Sequence, residues 1–399
     1  MNRAYVCGTF DTKGAELLFI AERLNAAGVA TCCVDLSTRP HSVGVDVTAG
    51  EVARAHEEGA SAVLARDDRG AAVAAMAVAF ARFIRTRDDV GGMIGAGGSG
   101  NTALVAPAMR TLPIGVPKLI VSTIASGQVA PYVRESDICM MSSVADVQGL
   151  NLISRRILAN AAHALAGMIR LRDAQSEQAG KPAVGLTMFG VTTACVQQVV
   201  SMLEETHDCI VFHAVGTGGR AMEALVDARL ISGVIDVTTT EVCDMMMGGI
   251  FPAEPTRFDA IIRTRVPYVV SCGALDMVNF ATMETVPPLY RDRRLYAHNP
   301  QITLMRTNAE ENARMGAWIA AKLNRMEGEV RLLIPEGGVS AIDAPSQPFH
   351  DPKADLALFE TLTAQVVQTD SRRVLRLPHA INDPPFAAAL AAAFRSIAA

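Results

Sequence analysis

The residues best suited to do chemistry in this chain are glycines. In Gly95-Ala-Gly-Gly-Ser-Gly100 an apolar run ends, four glycines fall within six positions, and a helical pattern begins near Ser99. Such a turn lets the backbone approach a ligand closely and offers unpaired N–H groups and the positive end of a helix to an anion. Phosphate is the chemistry it suits; the alternative is a structural turn whose glycines only permit close helix packing. Gly95, Gly97 and Gly100 formally satisfy G-x-G-x-x-G, but a dinucleotide site also wants an acid at the end of the next strand. That strand ends in Ser122-Thr123, and no Walker lysine follows the glycines. The expectation for Gly97, Gly98, Ser99 and Gly100 is therefore phosphate binding without the NAD or P-loop assignment.

Two further polar turns fall at strand ends, where open α/β sheets bind ligands. In Gly8-Thr-Phe-Asp-Thr-Lys13, Thr9, Asp11 and Thr12 could hold ribose or phosphate, or Asp11 and Thr12 could cap a helix starting near Lys13. Ser122-Thr-Ile-Ala-Ser-Gly127 offers more hydroxyls. In the second half, His213, Gly216, Gly218 and Gly219 are expected to converge with Thr238-Thr-Thr-Glu241 and Asp244 on a second small-molecule site. Glu241 and Asp244, spaced i and i+3, would share a helix face. His213 could act as acid or base, or serve as a hydrogen-bonded structural residue. Cys195, near a helix start, has either a lowered pKa or a buried thiol. Pro378-His-Ala-Ile-Asn-Asp-Pro384 reads as a turn capped by Asn382 and Asp383.

Alternating strands and helices must position these turns. Strands are expected at 4–7, 31–35, 62–64, 92–94 and 118–121, with helices at 13–27, 48–58, 71–85, 101–111 and 151–172 between and after them. This rhythm means a parallel sheet. The polar stretch from Arg172 to Pro182 is the expected linker, dividing the chain into 1–178 and 179–399. Beyond it, strands are expected at 183–188, 209–213, 233–237, 268–271, 331–334 and 373–377. The fold class is thus α/β, with two doubly wound, Rossmann-like subdomains. Two echoes suggest duplication of one unit: Gly8-Thr-Phe-Asp-Thr12 with Met188-Phe-Gly-Val-Thr-Thr193, and the Gly95 turn with Ala214-Val-Gly-Thr-Gly-Gly219.

A chain of 399 residues that is 50% hydrophobic is long for one core and sufficient for two. A net charge of -5 gives no surplus for wrapping nucleic acid or an anionic membrane. Eight cysteines without metal-like spacing suit a reducing compartment, and no run of about 18 apolar residues suggests a membrane span. The start of the chain does not read as a secretory signal. Together these point to the cytoplasm.

Taken together, the segments resemble a known family: the ATP-binding inhibitory domain of the tomato mosaic virus resistance protein and its uncharacterised bacterial relatives. The matching stretches include Gly8-Thr-Phe-Asp-Thr-Lys13, Val34-Asp-Leu-Ser-Thr38, Asp68-Arg-Gly70, Gly97-Gly-Ser-Gly100, Pro113-Ile-Gly-Val-Pro-Lys118 and Ser122-Thr-Ile-Ala-Ser-Gly-Gln128. In the second half they include Thr238-Thr-Thr-Glu241, Gly273-Ala-Leu-Asp-Met-Val-Asn-Phe280 and His379-Ala-Ile-Asn-Asp383. The resemblance implies two Rossmann-like subdomains, a homodimer, and ATP in the first subdomain. By position it implies nucleotide contacts at Thr9, Asp11, Thr12, Thr38, Arg69, Gly97, Gly98, Ser99 and Gly100. Arg69, which by itself reads as a solvated charge beside Asp67 and Asp68, then becomes a guanidinium for phosphate. Asn101 stands where relatives usually carry Gly, which would narrow the phosphate pocket. Mg²⁺ is the metal such phosphates would bring, although no carboxylate pair marks a place for it. The functional expectation is an ATP-binding protein; the alternative is a nucleotide-dependent enzyme acting on a small metabolite in a cleft between the subdomains.

Overall fold

A computed structural model describes residues 2–39, 41–66, 68–172 and 180–398. The chain gathers into two compact units, Met1–Gln178 and Ala179–Ala399. Residues 173–179, the heart of the expected linker, and Asp67 lie outside the described residues.

In the first unit the elements run β1 (Arg3–Gly8), α1 (Phe10–Ala26), β2 (Thr31–Asp35), α2 (Ala49–Ala53), α3 (Ser61–Leu64), α4 (Arg69–Arg85) and β3 (Val90–Gly97). They continue with α5 (Ser99–Met109), β4 (Lys118–Ser122), α6 (Ala130–Val133), β5 (Cys139–Ser142) and α7 (Leu152–Leu171). The sheet is parallel, in the order β2-β1-β3-β4-β5. Both faces are covered, so its central strands are apolar almost throughout. Val6, Ile94 and Leu119 pack with Leu17 of α1 and Leu165 of α7 on one side. Tyr5, Met93 and Ile120 pack with Phe80 of α4 and Val105 of α5 on the other.

The strand expected at 62–64 is instead the single helical turn α3. Only Val63 of that turn is buried, while Leu64 is 40% exposed, and an inner strand of a parallel sheet would bury both faces. The helix expected at 48–58 is the shorter α2, opened by a Thr48–Glu51 capping box. Edge strand β5, Cys-Met-Met-Ser, lacks the β-branched run that would have announced it.

The second unit runs β6 (Ala183–Met188), α8 (Thr193–Leu203), β7 (Asp208–His213), α9 (Thr217–Asp227), β8 (Gly233–Thr238), α10 (Glu241–Met247), α11 (Asp259–Thr264) and β9 (Tyr268–Gly273). Then follow β10 (Met277–Phe280), β11 (Leu295–Asn299), β12 (Ile302–Arg306), α12 (Ala309–Leu323), β13 (Val330–Pro335), α13 (Pro352–Gln365), β14 (Arg372–Leu377) and α14 (Pro384–Arg395). Its main sheet is parallel, in the order β14-β13-β9-β8-β6-β7, and β10-β12-β11 form a small antiparallel sheet that the sequence reading does not anticipate.

Read from β7, the order β7-β6-β8-β9-β13 repeats β2-β1-β3-β4-β5 of the first unit. The turn after β6 is then the counterpart of the turn after β1, as the fainter echo suggested. The more obvious echo is different. The Gly95 turn follows β3, whereas the Gly216 turn follows β7, whose counterpart is β2. The true counterpart of the Gly95 turn is Thr238-Thr-Thr-Glu241, after β8.

Candidate functional site

The chain passes from β1 to β2 on one side, then crosses to β3 on the other, which makes β1 and β3 the switch point of the first sheet. Helix α1 leaves β1 onto one face and α5 leaves β3 onto the other, opening a crevice at the strands' carboxyl ends. Glycine is required there. A Cβ on Gly8 would lie 2.8 Å from Asn101 Oδ1, and one on Gly97 would lie 2.8 Å from Asn101 Cβ, so α5 starts directly against the end of β1.

Helix α5 opens with no side-chain cap: Gly98 occupies the cap position, and Ser99 and Gly100 are exposed. The first intrahelical bond runs from Thr102 N–H to the Gly98 carbonyl at 3.1 Å, which leaves the N–H groups of Ser99, Gly100 and Asn101 without an intrahelical acceptor. The turn itself is held rigid from behind. Thr102 Oγ1 donates to the Gly98 carbonyl at 2.9 Å and lies 2.8 Å from Ser122 Oγ, which accepts the Ile124 N–H at 3.3 Å. Thr123 N–H donates to the Gly97 carbonyl at 3.2 Å. Asn101 is buried, and its Nδ2 donates to the Ala96 carbonyl at 3.0 Å. The result is a fixed, uncapped helix terminus with its positive end facing outward.

On the other wall, α1 runs from Phe10, three residues before the expected start, but its backbone is non-helical at Lys13, where that start was placed, and neither Asp11 nor Thr12 caps it. Its first donors are taken by the β2 loop: Phe10 N–H bonds Asp35 Oδ1 at 3.1 Å and Asp11 N–H bonds Ser37 Oγ at 3.0 Å. The Thr9 and Thr12 hydroxyls lie 2.9 Å apart, and the Asp11 carboxylate lies 3.1 Å from Ser37 Oγ. Thr9, Asp11 and Thr12 are thus brought together beside the crevice.

Asp35 ends β2 and is nearly fully buried. Its Oδ1 also accepts Ser37 N–H at 2.9 Å and Ser37 Oγ–H at 2.5 Å, while Oδ2 lies 2.7 Å from His41 Nε2. Val43 N–H donates to His41 Nδ1 at 3.1 Å, so the tautomer that fits carries its proton on Nε2 and donates to Asp35. Beyond Asp35 opens a cavity of about 310 Å³ whose walls include Thr38, Arg39, Val43, Val45, Ala49 and Leu64. Asp35, Ser37 and His41 are the residues sequence reasoning missed. The signal was an acid at the end of the second strand; the reading looked for it after the glycines instead.

Arg69 is exposed at the first position of α4, whose cap is Asp68, accepting the Ala71 N–H at 2.6 Å. It makes no hydrogen bond or ion pair with a described residue. Lys118 begins β4, at the opposite edge of the sheet from the crevice, and is buried against the Pro113 and Val116 carbonyls and Asp137. Its role is structural.

Of the second unit's candidates, Gly216, Gly219 and Glu241 come together, while His213 and Asp244 make other contacts. His213 is exposed at the end of edge strand β7, its ring 5.3 Å from that of Phe189. Glu241 is fully buried; its Oε1 accepts Gly216 N–H at 2.7 Å and Gly219 N–H at 3.1 Å, and its Oε2 accepts Arg257 Nε at 3.0 Å. Arg257 also bonds Glu223 and Asp236, and Tyr268 donates to Asp236. Asp244 is buried elsewhere, accepting the N–H groups of Asn279 and Phe251, and burial pushes its carboxyl up to about 7. Burial likewise pushes the Cys195 thiol up to about 12. Among the described residues no group of three or more His, Cys, Asp or Glu is placed to hold a metal ion, and no helix is long and apolar enough to cross a membrane.

Comparison with known proteins places this geometry in a lineage. The N-terminal domain model of the uncharacterised protein family UPF0261 matches residues 2–174, and the C-terminal domain model of the same family matches residues 181–398. The chain belongs to UPF0261. A UPF0261 protein of Rhizobium meliloti is 57% identical over 100% of both chains, and one of Mesorhizobium japonicum is 55% identical over 98% of each. The ToMV resistance protein Tm-1 of Solanum lycopersicum is 42% identical, covering 99% of this chain and 56% of its own length. The two matched domain models correspond to the two units, whose main sheets share one strand order.

Proposed function

We propose that this protein binds ATP in the first unit, its phosphates against the start of α5 and its nucleoside end towards the cavity beyond β2. The observation that carries the reading is the rigid, uncapped α5 terminus at the switch point, with Ser99 and Gly100 exposed. Scale supports it as well. From β3 across β1 to β2 is about 10 Å of sheet, within the reach of a nucleoside triphosphate lying along the carboxyl edge. Val43, Val45, Ala49 and Leu64 offer apolar surface for a base, and Thr38 offers a hydroxyl.

A mononucleotide is favoured over NAD because Asp35, which stands where a Rossmann acid would hold the ribose, already has both oxygens bonded within the protein. Asp11 supports a role for Mg²⁺: a carboxylate beside a polyphosphate repels it unless a cation stands between them. Binding without turnover is preferred to catalysis, since Glu241 and Asp244 are buried and committed to backbone donors. A homodimer and a cytoplasmic address complete the proposal; eight free cysteines suit a reducing compartment.

Titration calorimetry with ATP, ADP, GTP and NAD, with Mg²⁺ and with chelator, tests the reading. Heat of binding for ATP, strengthened by Mg²⁺ and absent for NAD, is the expected result. No heat for any purine triphosphate would overturn it. Light scattering measures the oligomer.

A further inference from the structure

The second unit repeats the strand order of the first, but the helix starts after β6 and β7 receive side chains from elsewhere in the unit. At its switch point, between β6 and β8, Thr192 Oγ1 and Thr238 Oγ1 meet at 2.7 Å across the turns. The start of α8 is capped from a distant segment: Asn382 Oδ1 accepts Cys195 N–H at 3.2 Å, and Asn382 Nδ2 donates to the Val191 carbonyl at 2.9 Å. At the glycine-rich turn before α9, the Glu241 carboxylate takes the two N–H groups a phosphate would take and meets Arg257 on its other oxygen.

The fit is tight enough to dictate the glycine. A Cβ on Gly219 would lie 2.2 Å from Glu241 Oε2, and one on Gly216, whose φ is +77°, would lie 2.6 Å from the Pro252 carbonyl oxygen. Glu241 is also the first residue of α10, just as Ser99 is the first residue of α5. The position that is a small exposed hydroxyl in the first unit is thus a buried anion in the second.

We infer that the Gly216 turn is a true anion-binding site whose resident ligand is the protein's own Glu241 carboxylate, so that the chain takes one nucleotide and not two. The first half of this inference stands on the geometry of the second unit alone. The count of one rests on the nucleotide reading of the first unit.

Glu241→Ala removes the equivalent of an acetate ion from the site, and acetate is the probe. In thermal unfolding of the full chain, the Glu241→Ala midpoint should rise with the logarithm of acetate concentration, beyond its rise in chloride at equal ionic strength. The wild type should follow the chloride control. If Glu241→Ala folds too poorly to melt, its refolding yield in acetate against chloride is the readout, with the same expected direction. Glu241→Gln, which keeps an oxygen for Gly216 and Gly219 and leaves no space, sets its amide N–H₂ against Arg257 Nε–H and should lose stability, yet show no acetate effect. An Ala variant that responds to acetate no more than the wild type overturns the internal-ligand assignment whether or not ATP binds. Calorimetry of the wild type should give one ATP per chain; two would overturn the count while leaving the acetate result to stand.

Discussion

Gly100→Asp separates the stability of the first unit from its proposed ligand. Gly100 is the second residue of α5, exposed, with nothing within 4 Å of where its Cβ would stand and no positive φ to be lost. A side chain there is sterically free. Aspartate at a helix start gains about 0.3–1 kcal/mol from the dipole, and leaving glycine behind adds a few tenths more. The unfolding midpoint without nucleotide should hold or rise by about 1–3 °C. The same carboxylate would sit about 5 Å from a phosphate on the terminal N–H groups. At an effective dielectric of about 20, each unit of phosphate charge then meets about 3 kcal/mol of repulsion, so affinity should fall at least about 100-fold. Gly100→Asn matches the shape without the charge and should lose far less. The assay is ATP calorimetry on the three proteins, paired with thermal unfolding. Equal binding by the Asp and Asn variants would refute a phosphate at this terminus, and a marked loss of stability in Gly100→Asp would refute the open geometry.

Other perturbations follow the same logic. Arg69→Ala should weaken ATP binding by about 10–100-fold, the worth of one charge-assisted hydrogen bond, and leave urea unfolding within about 0.5 kcal/mol, because the side chain is exposed and unbonded to described residues. Arg257→Met should cost about 3–5 kcal/mol in urea unfolding, because it strands Glu223, Asp236 and Glu241 as buried carboxylates without their cation. The second unit should be more stable at pH 5 than at pH 8. Burial raises Asp244 from 3.8 to about 7 and moves Asp276 upward as well, so the stability Asp244 contributes in its protonated form is complete below the unfolded value near 3.8 and is lost as pH rises through about 7. Urea midpoints across that range measure it, and Asp244→Asn should flatten the profile.

How much of this was legible in the residues depends on where each signal is stored. Strands such as Val184 to Met188 and Lys118 to Ser122 are buried on both faces, so their apolar runs declare them, and the alternation with helices fixes a parallel sheet before any contact is known. The Gly95 turn was readable because its constraint is local: glycines, a strand before, a helix after. What escaped is information carried between segments distant in sequence. Asp35 looks like any strand-terminal acid until Phe10 and Asp11, 25 and 24 residues upstream, are seen to hand it and Ser37 their first helix donors. Two near-identical glycine turns cannot be told apart by their glycines. Ser99 and Gly100 stand exposed at the start of α5, whereas the Gly216 and Gly219 N–H groups are taken by Glu241, and only the topology that returns α10 over the start of α9 decides between them. On the proposed reading, a glycine-rich strand-to-helix turn is an anion hole whose anion, ligand or side chain, is decided by the fold around it.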